Sequence, residues 1–149
     1  MNKFFSVLFL ILTIGLSAQE IDYNTKKGFI AEGYDVTEYF NNKTVKGNSK
    51  FVTTQDNVKY KFASQENLNK FKSNPEKYVP QYGGYCAYAI GANADKVSID
   101  PETFEIRDGK LYLFYNSWGI NTLKKWNEEG AEQLKAKADV NWQKIKTKK

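Results

Sequence analysis

The chain has 149 residues, with 22 Lys and Arg against 17 Asp and Glu for a net charge of +5, one cysteine and no histidine. That inventory excludes an internal disulfide, a tetrahedral zinc site of Cys and His, and any nucleophile activated by an imidazole. Acid–base chemistry would fall to carboxylates, lysines or tyrosines with displaced pKa values.

At the start, Lys3 precedes the apolar run FFSVLFLILTIGL, which ends in SAQ. This order of charge, apolar stretch and small residues predicts a secretory signal peptide over 1–18, cleaved after Ala18. The run is shorter than the roughly 20 apolar residues of a membrane-spanning helix, and no cysteine follows it to carry a lipid. The expected product is an exported soluble protein, periplasmic or extracellular, with no stable membrane anchor. Losing 1–18 removes one lysine and no acid, so the net charge falls from +5 to +4. The remainder suits one domain with a single core.

Residues 19–29 are polar and predict a flexible segment; the domain proper is expected over 30–145. FIAEGYDVTEYF offers Gly33 for a turn and Asp35 or Thr37 to cap a short helical turn. KFVTT and VKYKF flank QDN, and their alternation predicts a hairpin with Phe51, Val58, Tyr60 and Phe62 on one face. Ser64 is a natural N-cap for a helix that puts Leu68 and Phe71 on one side, and Pro75 ends that helix or opens the next turn. Hairpin and helix make a compact ββα unit.

KVSI reads as a strand, and TFEIRDGKLYLFYN as a hairpin turning at Asp108-Gly109, with Phe104 and Ile106 facing Leu111 and Leu113. Ser117 is expected to cap a helix through Leu123 and Trp126, which Gly130 interrupts. AEQLKAKADVNWQKI then continues as a helix with an apolar stripe of Leu134, Ala138, Trp142 and Ile145. Asp139 and Trp142 are expected to fix it to the body. The basic tail 146–149 reads as a frayed end. The fold class is α+β, with short hairpins, helices and a C-terminal helical extension. The charges form no basic stripe, and nothing reads as a nucleic-acid module.

Four blocks, GYDVTEYF, VKYKFASQENLNKFKSNPEKYVPQYGGYCAYAI, IDPETFEIRDGKLYLFYN and KADVNW, resemble an exported subgroup of the YHS-domain family. The resemblance runs from about Ile30 to Trp142 and implies a small YHS-like fold. Better-known members are thought to bind metal through paired cysteines in a pattern that aligns with YKFASQEN. Here Ala63 and Asn67 stand at those two positions, so the resemblance carries the scaffold and not the metal site.

Cys86 is therefore the only soft ligand in the chain that remains after 1–18 is removed. It follows Gly83-Gly84 and lies among tyrosines, so Tyr82, Gly83, Gly84, Tyr85, Cys86 and Tyr88 form the candidate ligand-binding set. Glycines there let the backbone turn tightly or approach a ligand. The ligand would be a soft cation, with Cu(I) the natural candidate, or a small molecule. Cys86 as a small core residue is the competing structural reading. Three functions follow: a non-catalytic exported binding module, a thiol-dependent redox enzyme or sensor using Cys86, and a structural or protein-interaction domain. None of them assigns catalytic residues beyond that thiol.

Overall fold

The computed structural model describes residues 19–148, so the expected signal peptide lies outside the described residues. Its elements make an α+β domain. Thr25–Lys26 (β1) and Phe29–Ile30 (β2) form a tight hairpin, and Asn48–Gln55 (β3) and Val58–Phe62 (β4) form a longer one. Asp56 and Asn57 turn the second hairpin with φ of 51° and 63°, conformations that Asp and Asn tolerate through local hydrogen bonding. β2 joins β4 in parallel, which gives the sheet order β1-β2-β4-β3.

Gln65–Ser73 (α1) starts as expected, with Ser64 Oγ accepting from the amide of Asn67 at 3.1 Å. Leu68 and Phe71 face the core, where Phe71 packs against Tyr60 and Phe62. Pro75 opens the short helix Pro75–Tyr78 (α2) at a position where its missing N–H is not needed. Ala87–Asn93 (α3) leads into the irregular stretch 94–99 and then Asp100–Arg107 (β5) and Lys110–Phe114 (β6). KVSI is thus not a strand. It passes along the domain, and the carbonyl of Val97 accepts from the amide of Cys86.

β6 explains how a chain of this size has two apolar faces to fill. Leu111 and Leu113 enter one cluster with Ile30, Tyr60, Phe62 and Cys86, while Tyr112 and Phe114 enter another with Ile90, Trp126 and Leu134. Side chains alternate across a strand, so a strand buried on both faces joins the two clusters. The expected pairing of Phe104 with Leu113 and Ile106 with Leu111 holds.

After β6, Asn116–Ser117 (β7) and Ile120–Asn121 (β8) form a miniature hairpin, and Thr122–Glu129 (α4) begins only there. Asn121, not Ser117, is its cap, accepting from the amide of Lys124 at 3.1 Å. Ser117 lies too early because the hairpin consumes the intervening residues. Gly130, with φ of 105°, separates α4 from Ala131–Ile145 (α5). α5 crosses α3 closely: a Cβ at Gly91 would lie 2.6 Å from the carbonyl oxygen of Leu134.

Both chain ends of the domain differ from expectation. Ile21 bridges Thr147, the Asp22 amide donates to the Lys146 carbonyl at 2.7 Å, and the Lys148 amide donates to Glu20. Lys96 pairs with Asp22 and Lys148 with Glu20. The segments at 20–22 and 146–148 therefore zip together and are neither a flexible leader nor a frayed tail. Backbone pairing between segments more than a hundred residues apart leaves no local signal in either.

Candidate functional site

Cys86 sits where α3 begins, and its sulfur is fully buried. The Tyr115 amide donates to Sγ at 3.4 Å, and Oγ1 of Thr122 lies 3.2 Å from the sulfur. Because the Thr122 hydroxyl also donates to the Tyr115 carbonyl at 2.8 Å, its one proton is committed and the thiol donates to it. The three groups form a closed ring of hydrogen bonds. Sulfur reaches neither solvent nor a second soft ligand; a hydroxyl and an N–H donor are poor company for Cu(I). The expectation that Cys86 lines a pocket is corrected: it packs as a small core residue.

The turn before it is left-handed over three residues, Tyr82, Gly83 and Gly84, with φ of 54°, 60° and 78°. Asn24 holds this turn, its amide donating to the Gly83 carbonyl and its side chain to the Gly84 carbonyl, each at 2.9 Å. Gly83 is needed for a close approach, but to protein and not to ligand: a Cβ there would lie 2.8 Å from the Trp142 ring. Tyr82 in the left-handed region is the strained member of the turn.

That strain directs the Tyr82 ring inward and its hydroxyl to Oδ1 of Asp139 on α5, 2.8 Å away. Burial, then the hydrogen bond and charge of Asp139, push the phenol well above its ordinary value of 10.0. It is therefore a neutral donor at physiological pH. Around this pair opens a cleft of about 400 Å³, with Tyr82 and Gly83 in its wall beside Tyr23, Lys110, Asp139 and Trp142. The cleft offers aromatic surface, one cation and one carboxylate. Lys110 and Tyr23 carry no motif in the sequence; they arrive through the β5–β6 turn and the N-terminal segment.

The other candidate residues do not share this cleft. Gly84 packs its backbone against Ile30. Tyr85 is half-buried against Trp142, its ring centroid 6.3 Å away, and burial with the nearby Asp22 carboxylate pushes its phenol up to about 12. Tyr88 points to α4 and donates to Glu129 at 3.0 Å. The tyrosines of the candidate set thus divide among three environments, because residues 85–88 leave the turn and enter α3.

Ala63 and Asn67, which the resemblance sets at the positions of paired cysteines, meet at Asp35. This fully buried carboxylate accepts from the Thr37 amide and hydroxyl on Oδ1, and from the Ala63 amide and Asn67 side chain on Oδ2, all within 2.9 Å. Both oxygens face N–H and O–H groups, so a cation placed there would meet protons. The residues do not fit a metal. Among the described residues no group of three or more Asp, Glu or Cys side chains gathers as metal ligands would, and no helix is long and apolar enough to cross a membrane.

Comparison of the chain with protein-family models, with curated proteins and with solved structures gives no match.

Proposed function

We propose that this chain is an exported, non-catalytic binding module of YHS-domain type that takes a small molecule in the cleft over Tyr82. The observation that carries this reading is the Tyr82–Asp139 pair in the wall of a cavity of about 400 Å³. A cavity of this size with aromatic walls and a few convergent polar groups is the usual form of a small-molecule site. Trp142 and Tyr23 offer faces for a ring, Asp139 accepts from a donor, and Lys110 complements a partial negative charge.

Two observations favour binding over reaction. The one thiol is enclosed, which removes the nucleophile of the redox reading. Tyr82, with its phenol raised, remains protonated and is no general base. Export is supported by the sequence pattern at 1–18, and YHS membership by the four sequence blocks from Ile30 to Trp142.

The test is a fragment screen by thermal shift and tryptophan fluorescence, on wild-type protein and on Asp139→Asn and Lys110→Ala. Ring-bearing fragments should raise Tm by mass action and perturb Trp142, with the effect reduced in both variants. A screen with no hit, or hits indifferent to both substitutions, rejects the cleft. A protein-interaction role is the second reading, favoured by one observation: Trp118 at the β7–β8 turn is 93% exposed.

A further inference from the structure

A second hollow, of about 360 Å³, shares no lining residue with the Tyr82 cleft and is lined by more cations than acids. Lys26, Lys27, Lys46 and Lys61 line it against one acid, Glu32. Lys26 is committed to Glu32 at 2.8 Å. Among the described residues, Lys27, Lys46 and Lys61 make no direct ion pair, so three ammonium groups around the hollow are free of a contacting carboxylate.

These lysines come from separate parts of the chain. Lys27 is in the β1–β2 turn, Lys46 sits at the isolated bridge to Tyr34, and Lys61 is on β4. Aromatic rings hold two of the ammonium groups in place: Lys61 Nζ is 4.2 Å from the Phe29 ring centroid and Lys46 Nζ is 6.0 Å from that of Tyr34. Two further acids, Glu102 and Asp100, lie near Tyr34 and offset part of this charge, but their hydrogen bonds go to groups other than the lysines. Glu102 accepts from the Tyr34 hydroxyl at 3.3 Å, and Asp100 accepts from Thr103 and the Glu102 amide. Like charges focused in a concave site repel one another and raise the local concentration of anions.

We propose that this hollow is an oxyanion site for a small molecule bearing a phosphate or sulfate ester, with the anion on Lys27, Lys46 and Lys61 and a flat body beside the partly exposed Phe29. This ligand and site are additional to the Tyr82 cleft. Phosphate and sulfate esters share the tetrahedral, multiply charged head that several ammonium groups can surround. The aromatic wall favours an ester over the free inorganic ion.

Phenyl phosphate and phenyl sulfate are the probes, with inorganic phosphate and benzyl alcohol as the two half-ligands, titrated calorimetrically at low salt. Saturable one-to-one binding of an ester is expected, with a preference for phosphate or sulfate identifying the head group, and neither half-ligand should match it. Lys46→Gln/Lys61→Gln should weaken binding about tenfold or more, while Lys70→Gln/Lys72→Gln on α1 should leave it unchanged. Asp139→Asn should also leave it unchanged, which separates this site from the Tyr82 cleft. Binding that is absent, non-saturable, or equally reduced by the α1 pair overturns the proposal. So does binding only to anionic vesicles. A folding control comes from the unliganded protein: relieved repulsion should leave the Tm of Lys27→Gln/Lys46→Gln equal to or above wild type, and a fall would show the lysines serve the fold instead.

Discussion

The side-chain amide of Asn67 spans two carboxylates, donating to Oδ2 of Asp35 at 2.8 Å and to Oε1 of Glu38 at 2.7 Å. Asp35 is fully buried and Asn67 nearly so. The bond ties the 31–41 segment to the first turn of α1, and the Ala63 amide adds a second tie to the same oxygen.

Asp35→Ala should therefore be among the most destabilising single changes in the chain. It leaves the Ala63 amide, one N–H of the Asn67 side chain and both Thr37 donors without their acceptor. Losing an acceptor to several buried donors costs about 3 kcal/mol or more. Asp35→Asn keeps the shape but turns an NH2 toward one pair of donors, so it should recover only part of the loss. Urea denaturation measures both. An Asp35→Ala protein within about 1 kcal/mol of wild type would show the network to be marginal.

Cys86 should behave as an unreactive core residue. Alkylation of native protein should proceed only as fast as the domain opens, and its rate should rise with urea in parallel with unfolding. Cys86→Ala keeps the helix start but removes the acceptor of the Tyr115 amide and opens a small cavity, for a loss of about 1–2 kcal/mol. Rapid stoichiometric labelling under native conditions would overturn the closed ring around the sulfur.

What is legible in the sequence is local. Ser64 three residues before Asn67, Asp108-Gly109 between alternating runs, and Gly130 between two helical patterns each specify a geometry within a few residues. Long-range pairings leave no such trace. Asp35 reads as a cap because its partners at 63 and 67 are invisible from its own neighbours. Cys86 and Tyr82 read as one site because they are four residues apart, yet the left-handed turn and the start of α3 send them into different cores. The Lys26, Lys27, Lys46 and Lys61 hollow was dispersed among separate segments, so no charge run announces it.

Alkaline pH should unfold the protein steeply. Burial raises the phenols of Tyr39, Tyr60 and Tyr82 well above their ordinary value of 10.0, and Tyr85 reaches about 12 through burial and the Asp22 carboxylate. Between pH 10 and those raised values the unfolded chain releases protons that the native chain keeps. Stability is thus fully present below pH 10 and is lost as pH rises, by about 1.4 kcal/mol per pH unit for each of the Tyr39 and Tyr60 phenols and by less for Tyr82 and Tyr85, which solvent screens in part. Phenolate absorbance from these four of the ten tyrosines should appear together with loss of circular dichroism. Tyr82→Phe should flatten the slope by up to one proton. Ionisation of all ten before any loss of structure would contradict the burial.

Trp118 should be dispensable for folding and costly to it. It occupies the first central position of the β7–β8 turn at φ 52°, followed by Gly119 at φ 74°, and it is 93% exposed. A turn with two left-handed central residues favours Asn-Gly, since Asn enters that region easily and a bulky side chain does not. Little contact area is available to compensate the indole, so its backbone strain is not repaid by packing. Trp118→Asn should raise stability by about 0.5–1 kcal/mol, a Tm increase of a few degrees for a domain of this size. A fall in Tm would mean that the indole packs on the domain. A rise, together with loss of any self-association seen by sedimentation, would locate an interaction surface at the turn. An exposed aromatic anchor retained against a local backbone cost is what such a surface requires.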